Sequence, residues 1–127
     1  MSDTKSSIPE FSGPYSLSKL SSLVTLWGVN RGINTGGTIA GQLLKLDEET
    51  LELDEALFPI GGNLDDERAE GANVEEAKDA IGDITVVLHM ICLIKGWSFR
   101  ECCEKAWEDI KDRKGVMIDG TFVKEES

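Results

Sequence analysis

Cysteine and histidine are both scarce in this chain, and their scarcity argues against two kinds of site. There are three cysteines, Cys92, Cys102 and Cys103, and His89 is the single histidine. An odd number of cysteines, two of them adjacent, does not suit a disulfide framework. A zinc site built from Cys and His is disfavoured because no Cys-x-x-Cys pair accompanies the one histidine. We therefore expect reduced thiols that serve in packing, and a buried His89 with satisfied hydrogen bonds.

Long apolar runs and positive charge are lacking as well. The longest apolar stretch, residues 84–94, is too short to cross a bilayer, and the polar start does not resemble a signal peptide. The sequence has 13 basic and 24 acidic residues, for a net charge of −11. Such a charge disfavours nucleic acid polymers as partners, because their phosphates need a basic surface. We expect a cytoplasmic protein, without membrane or nucleic acid partners, that meets anionic ligands through metal cations or a local basic cluster.

Hydrophobic spacing predicts one all-α domain of four helices, a size that suits 127 residues. The first helix is expected to begin with Ser16 or Ser18 as N-cap and to end at Gly32. A loop at residues 33–37 separates it from the second. The other three helices are expected to cover residues 38–57, 73–95 and 98–114. The helix at 73–95 is apolar nearly all round, which predicts a central position.

The remaining segments contain the residues typical of loops and turns. Residues 1–15, rich in Ser, Pro and Gly, are expected to form a flexible arm. A long loop is expected at residues 58–72. Asp119-Gly120, between two short apolar runs, predicts a C-terminal β-hairpin with a type I′ turn.

The second predicted helix carries closely spaced glutamates next to a packing seam. The seam consists of residues at a/d spacing, namely Leu43, Leu46, Thr50, Leu53 and Leu57. Glu49 and Glu52 lie about 60° apart on its flank. Gln42 and Lys45 share that flank, and Glu48 lies further toward solvent.

The third predicted helix carries an acidic stripe that leads into its buried face. Glu76, Asp79 and Asp83 fall within about 60° of one another. Carboxylates there need cations between them or raised pKa values. If the two acidic helices pack together, their all-oxygen set suits Mg²⁺ or Mn²⁺.

The acidic residues have two other interpretations. Charge runs often mark solvated helix faces, so the chain could be a non-catalytic acidic helical oligomer that serves as a regulatory or interaction module. A di-iron carboxylate bundle is disfavoured because it needs Glu-x-x-His pairs, and Val86 stands three residues before His89.

Two motifs resemble those of the MazG-like all-α nucleotide pyrophosphohydrolases. Residues 48–52 match the family's Glu-Glu-x-x-Glu motif, and Gly82-Asp83 matches the Gly-Asp of its second acidic helix. The end of the chain is similar to that of short phage-type members, and the resemblance spans residues 16–124. It implies a four-helix bundle that assembles as a homo-dimer or homo-tetramer, in the host cytoplasm if the protein is phage-encoded. It also implies Mg²⁺-dependent attack of water on the α-phosphorus of a nucleoside triphosphate, with Mn²⁺ able to substitute, giving the monophosphate and pyrophosphate.

The resemblance also implies roles for individual residues. The implied metal ligands are Glu49, Glu52, Asp79 and Asp83, and Glu48 is expected to orient or deprotonate the attacking water. The family's second motif is Glu-x-x-Asp, and Ala80 occupies the place of its glutamate. Asp79, which shares a helix face with Asp83, and Glu76 are the two candidates to replace it.

Substrate contacts are expected from basic and aromatic residues. Lys111, Arg113 and Lys114 would clamp phosphates, or would only complement the negative end of their helix. Lys45 is expected to be either a counter-ion or a phosphate contact.

Base recognition is expected at the end of the first helix. Trp27 is expected in the core, with stacking on a nucleobase as the alternative. Asn30, Asn34 or Gln42 would then read the edge of the base. The resemblance to phage-type members favours a purine deoxynucleotide such as dGTP.

Overall fold

The computed structural model describes residues 13–59 and 73–126, and the predicted all-α class with a C-terminal hairpin is confirmed there. Residues 1–12 of the predicted arm and residues 60–72 of the predicted loop lie outside this range. The elements in chain order are α1 (Leu17–Asn30), α2 (Ile33–Gly36), α3 (Ile39–Leu57), α4 (Val74–Lys95), α5 (Phe99–Ile110), β1 (Gly115–Ile118) and β2 (Thr121–Lys124).

Each of the four long helices begins at a side chain that caps its free backbone N–H groups. Ser16, rather than Ser18, accepts a hydrogen bond from the backbone N–H of Lys19 at the start of α1. Thr38, Asn73 and Ser98 do the same for α3, α4 and α5. Local sequence therefore determines where these helices start.

Two predicted boundaries were wrong. Residues 33–36, expected to be a loop, form the single helical turn α2. Gly32 precedes it in the left-handed conformation (φ 76°), which glycine adopts without steric cost. Helix α5 ends at Ile110 rather than Lys114. The carbonyl of Lys114 instead accepts a hydrogen bond of 2.7 Å from the N–H of Glu125. Because the residues after Ile110 lead into the hairpin, they do not continue the helix.

Helix α4 is central, as predicted, since α1, α2, α3 and α5 all contact it. Its buried residues are Ala77, Ala80, Val87, His89, Met90 and Cys92. Helix α1 approaches α4 closely at Gly28, where an added Cβ would lie 2.6 Å from the sulfur of Met90. Burial is not uniform round the helix, because Ile81 and Leu88 remain exposed.

The buried face of α3 differs by about one residue from the predicted leucine seam. Its inward stripe runs through the buried residues Glu49 and Ala56 and the half-buried residues Gln42, Leu46 and Leu53. Leu43, Thr50 and Leu57, expected in the seam, are exposed. The register follows the contact with α4, and it moves Glu49 from the flank of the helix to its inner face.

The C-terminal strands pair antiparallel, with Ile118 opposite Thr121. Asp119 and Gly120 both have positive φ, 49° and 83°. Two successive residues with positive φ are the mark of a type I′ turn, so this prediction is confirmed.

The length and hydropathy of the helices decide whether any of them could cross a membrane. Within residues 13–59 and 73–126, no single helix is long and apolar enough to cross a membrane. Helices α4 and α5 together pass on length and composition alone, and the chain bends by 109° between them.

Candidate metal centre and the adjoining cleft

Three of the predicted metal ligands converge where α3 packs against α4. Glu49, Glu52 and Asp83 each offer one carboxylate oxygen, and these oxygens all lie within 4.8 Å of one another. Glu49 and Glu52 lie on neighbouring turns of α3, and α4 supplies Asp83. The convergence follows from i, i+3 spacing on one helix and the packing of the second helix against it.

Glu49 is the buried member of this group, with 4% of its surface exposed. Its Oε1 accepts from Lys45 Nζ at 3.2 Å. Its Oε2 is buried and has no hydrogen-bond partner among the described residues. A buried carboxylate oxygen without a partner is costly unless a proton or a cation satisfies it.

The close carboxylates change the pKa values of the neighbouring ionisable side chains. A protonated Glu52 can donate a hydrogen bond to Glu49, and this bond, followed by the charge of Glu49, raises the pKa of Glu52 above its ordinary value. Asp83 is exposed as a residue, but partial desolvation of its carboxyl, followed by the charges of Glu49 and Asp79, raises its pKa. The pKa of Lys45 is also raised, first by its hydrogen bond to Glu49 and then by the charges of Glu49 and Glu48. The site therefore takes up positive charge, as a proton, an ammonium group or a metal ion.

The donor set fits a hard divalent cation. All three groups are carboxylates, and oxygen ligands are those that Mg²⁺ and Mn²⁺ prefer. Three protein oxygens leave coordination positions for water and substrate, which is typical of Mg²⁺ sites that handle phosphates. The unpartnered Oε2 of Glu49 belongs to this group and has lone pairs that a cation or a proton could satisfy.

The other predicted acidic residues lie at the margin of this group. Asp79 is outside the set of mutually close oxygens, although its charge contributes to the raised pKa of Asp83. Glu76 is exposed in the first turn of α4. Ala80, in the place of the family's glutamate, is 2% exposed. Glu48 is exposed, and its carboxylate lies 3.6 Å from Lys45 Nζ.

A cleft of about 900 Å³ adjoins the carboxylates and contains three of the predicted substrate residues. Trp27, Gln42 and Lys45 line it together with Glu49 and Asp83. Its apolar wall comes from α1, α2 and α4 and includes Leu23, Val24, Ile33, Val86, Val87 and Met90. These apolar members were missed as site residues because their spacing is that of ordinary core positions.

Trp27 is not a fully buried core residue, since 43% of its surface is exposed. The guanidinium of Arg31 lies 4.2 Å from the centre of the indole ring. Arg31 also donates to the carbonyl of Trp27 at 3.2 Å. This stacking partner was missed, although an arginine four residues after a tryptophan on one helix was a usable signal.

The remaining predicted substrate residues do not line this cleft. Asn30 and Asn34 are exposed outside it, at the end of α1 and in α2. Lys111, Arg113 and Lys114 follow α5, and none of them lines the cleft. Lys111 instead pairs with Glu108 at 2.7 Å.

His89 lies apart from the carboxylates, and its predicted role as a satisfied buried histidine is confirmed. Its Nδ1 donates to the carbonyl of Thr85 at 2.7 Å, which leaves Nε2 to accept from the hydroxyl of Ser21 at 2.7 Å. Its ring stacks on Phe99 with centroids 4.0 Å apart. Both ring nitrogens are thus used inside the fold.

Comparison of the chain with protein-family models, with curated proteins and with solved structures finds no match. The residues and geometry described above therefore carry the functional argument alone.

Proposed function

We propose that this chain is a Mg²⁺-dependent nucleoside triphosphate pyrophosphohydrolase of the MazG-like type, converting the triphosphate to the monophosphate and pyrophosphate. The observation that carries the proposal is the buried, unpartnered Oε2 of Glu49, which lies in a convergent carboxylate set beside a cleft large enough for a nucleoside. A solvated acidic face would not bury a carboxylate with one of its two oxygens left without a partner.

Glu49, Glu52 and Asp83 would hold Mg²⁺, with Asp79 as the fourth acidic group. When bound, Mg²⁺ supplies charge neutralisation for the triphosphate and polarises the attacking water. Because the chain has a net charge of −11, a triphosphate needs such a cation before it can approach the carboxylates.

Glu48 and Lys45 provide the polar groups at the outer edge of the site. Glu48 is exposed one residue before Glu49, where its carboxylate pairs with Lys45 Nζ at 3.6 Å and would be accessible to orient the attacking water or accept its proton. Lys45 now balances the charge of Glu49 at 3.2 Å. If a divalent cation neutralised Glu49 instead, the ammonium group of Lys45 would become available to a phosphate oxygen.

The cleft provides the binding surface for the nucleoside. Its apolar wall removes the base from water, the half-exposed Trp27 offers an aromatic face for stacking, and Gln42 offers an amide that can both donate and accept. We propose a deoxynucleotide substrate, with a purine such as dGTP as the favoured base.

The basic cluster and assembly form part of the proposal. Lys111, Arg113 and Lys114 do not line the cleft of their own chain, and we propose that they would clamp the phosphates of a nucleotide bound by a second copy. We propose a homo-dimer or homo-tetramer in the cytoplasm, without nucleic acid or membrane partners.

Turnover of a nucleotide panel tests the proposal. Purified protein is incubated with each common NTP and dNTP, with Mg²⁺ or with Mn²⁺, and the products are separated by chromatography. Monophosphate plus pyrophosphate is the expected result. No turnover across the panel would favour the alternative of an acidic regulatory or interaction module.

The matched variants are Glu49→Gln and Glu55→Gln, both on α3. Glu55 is exposed and lies outside the carboxylate group. We expect Glu49→Gln to lower kcat at least about 100-fold, a loss typical of a key charged group in a catalytic site. Glu55→Gln should leave kcat within about twofold, since the substitution is on the surface. Equal activity of the two variants would rule out the proposed ligand set.

A further inference from the structure

Two cysteines from different helices touch at the junction of α4 and α5. The Sγ atoms of Cys92 and Cys102 lie 3.9 Å apart. Cys92 is buried near the end of α4, whereas Cys102 is exposed in the first turn of α5. Cys103 is exposed beside it, but its sulfur has no such contact with Cys92.

The turn between the helices places both cysteines through backbone hydrogen bonds. Gly96 ends α4 in the left-handed conformation, and the N–H of Trp97 donates to the carbonyl of Cys92 at 2.8 Å. Ser98 caps α5, and its carbonyl accepts from the N–H of Cys102 at 3.2 Å. Because each cysteine lies within a hydrogen-bonded turn next to the junction, the contact between the two sulfurs is built into the local fold.

We propose that Cys92 and Cys102 form a reversible disulfide that fastens α5 to α4, with a small disulfide such as glutathione disulfide as the oxidant. A disulfide needs sulfurs about 2.05 Å apart. The two sulfurs must therefore approach by about 2 Å, a distance that side-chain rotation can cover. The inference concerns a part of the chain remote from the carboxylates and does not depend on the proposed hydrolase activity.

Exposure assigns the order of the two steps. The Cys102 thiolate attacks glutathione disulfide, forms a mixed disulfide and releases one glutathione thiolate. Cys92 loses its proton to solvent and attacks the Cys102 sulfur, and the second glutathione thiolate leaves. Two protein thiols are oxidised, and one glutathione disulfide is reduced to two glutathione thiols. Burial raises the pKa of the Cys92 thiol to about 11, so Cys92 is the slower nucleophile and acts second.

The disulfide would restrain a weakly held part of the molecule. Helix α5 has no buried residues, and the stacking of Phe99 on His89 is one of the few contacts that hold it to α4. A bond between residues 92 and 102 closes a short loop and removes conformational freedom from the unfolded chain.

Oxidation of four proteins by glutathione disulfide tests the inference. Wild type, Cys103→Ser, Cys102→Ser and Cys92→Ser are oxidised, alkylated under denaturing conditions and weighed by mass spectrometry. In wild type and in Cys103→Ser, the chain mass should show two fewer alkylated thiols and the loss of two hydrogens, with no covalent link between chains. The midpoints of thermal unfolding of both proteins should rise by a few degrees, and a dithiol reductant should reverse both changes.

The two remaining variants should not form an internal disulfide. Because Cys102 is exposed, Cys102→Ser should keep its fold even where a change at the buried Cys92 does not. In Cys92→Ser, which lacks the second nucleophile, a lasting glutathione adduct on Cys102 is expected. In wild type or Cys103→Ser, a lasting adduct on Cys102, a link between chains, or full retention of the thiols would each overturn the inference, as would a disulfide between Cys102 and Cys103 in wild type.

Discussion

At the residue scale, Glu49 places a carboxyl group where water cannot reach both of its oxygens. Lys45 satisfies one oxygen, and the other has no partner among the described residues. Protonation of Glu52 or Asp83 would relieve the repulsion between the carboxyls at low pH, and the proposed divalent cation would relieve it at higher pH. The protein should therefore exchange protons for metal over the range in which these carboxyls titrate.

We predict that stabilisation by Mg²⁺ increases with pH. The folded state raises the pKa of Asp83 above 3.8 and that of Glu52 above 4.5. Without metal, the two carboxyls do not affect the free energy of unfolding at low pH, where they are protonated in both the folded and the unfolded state. As pH rises through the raised pKa values, ionisation is easier in the unfolded state, so the two carboxyls destabilise the fold. Mg²⁺ at about ten times its Kd should add about 1.4 kcal/mol once the carboxyls are ionised, and almost nothing near pH 4.

The measurement is the midpoint of thermal unfolding with and without Mg²⁺, from about pH 4 to about pH 8. In Glu49→Gln the Mg²⁺-dependent shift should disappear, while Glu55→Gln should behave like the wild type. If Mg²⁺ shifted the midpoint of thermal unfolding equally at both ends of the pH range, the predicted coupling between Mg²⁺ binding and carboxyl ionisation would be contradicted.

At the same scale, sequence spacing was enough to place Glu49 and Glu52 on one flank of α3, because helical geometry fixes which side chains share a flank. Their grouping with Asp83 of α4 came from the resemblance to the MazG-like family. Spacing did not predict the burial of Glu49. The leucines of α3 indicated a seam through Leu43 and Thr50, and only packing against α4 selected the stripe one position away. When two adjacent faces of a helix have similar apolar content, the sequence alone does not show which face is buried, because burial depends on the partner helix.

At the element scale, α4 brings two candidate acidic groups to the margin of the site. Asp79 lies one turn before Asp83 and contributes to its raised pKa. Glu76 lies a further turn away, in the first turn of the helix. The distance along the helix axis, about 1.5 Å per residue, favours Asp79 as the group that acts with Asp83.

We predict that Asp79→Asn weakens Mn²⁺ affinity and kcat by about tenfold or more, in the range known for groups that support metal ligands. Glu76→Gln should change both by less than about twofold, because it alters only an exposed charge. Mn²⁺ titration and steady-state kinetics of the two variants decide between them. A larger effect of Glu76→Gln would assign the role to Glu76 instead.

The starts of the elements were predictable because each depends on a few adjacent residues. Ser, Thr or Asn caps begin the long helices, and Asp119-Gly120 shapes the hairpin turn. The end of α5 was not predictable in the same way. Residues 111–114 suit a helix locally, but hairpin pairing draws the chain away after Ile110.

At the scale of the whole molecule, a single chain leaves much apolar surface uncovered. No large side chain of the described residues is fully buried. Two tryptophans are exposed, Trp97 by 58% and Trp107 by 59%. Further exposed apolar side chains lie on α1, α3 and the hairpin, among them Leu17, Leu26, Leu44, Met117 and Phe122. Which surfaces meet another copy depends on the assembly and cannot be deduced from hydrophobic spacing within one chain.

We predict that the protein sediments as a homo-dimer or homo-tetramer, since a second copy would cover apolar surface that a monomer leaves in water. Sedimentation equilibrium should give two or four times the chain mass of 13.9 kDa. A monomer at every protein concentration tested would contradict this part of the account.

The central claim is that water attacks the α-phosphorus of a nucleoside triphosphate at the site formed by Glu49, Glu52 and Asp83. Hydrolysis in ¹⁸O-labelled water, with Mg²⁺ and the preferred nucleotide, tests it most directly. The account predicts that mass spectrometry finds one ¹⁸O in the monophosphate and none in the pyrophosphate. Label in the pyrophosphate, or release of diphosphate and inorganic phosphate, would contradict it.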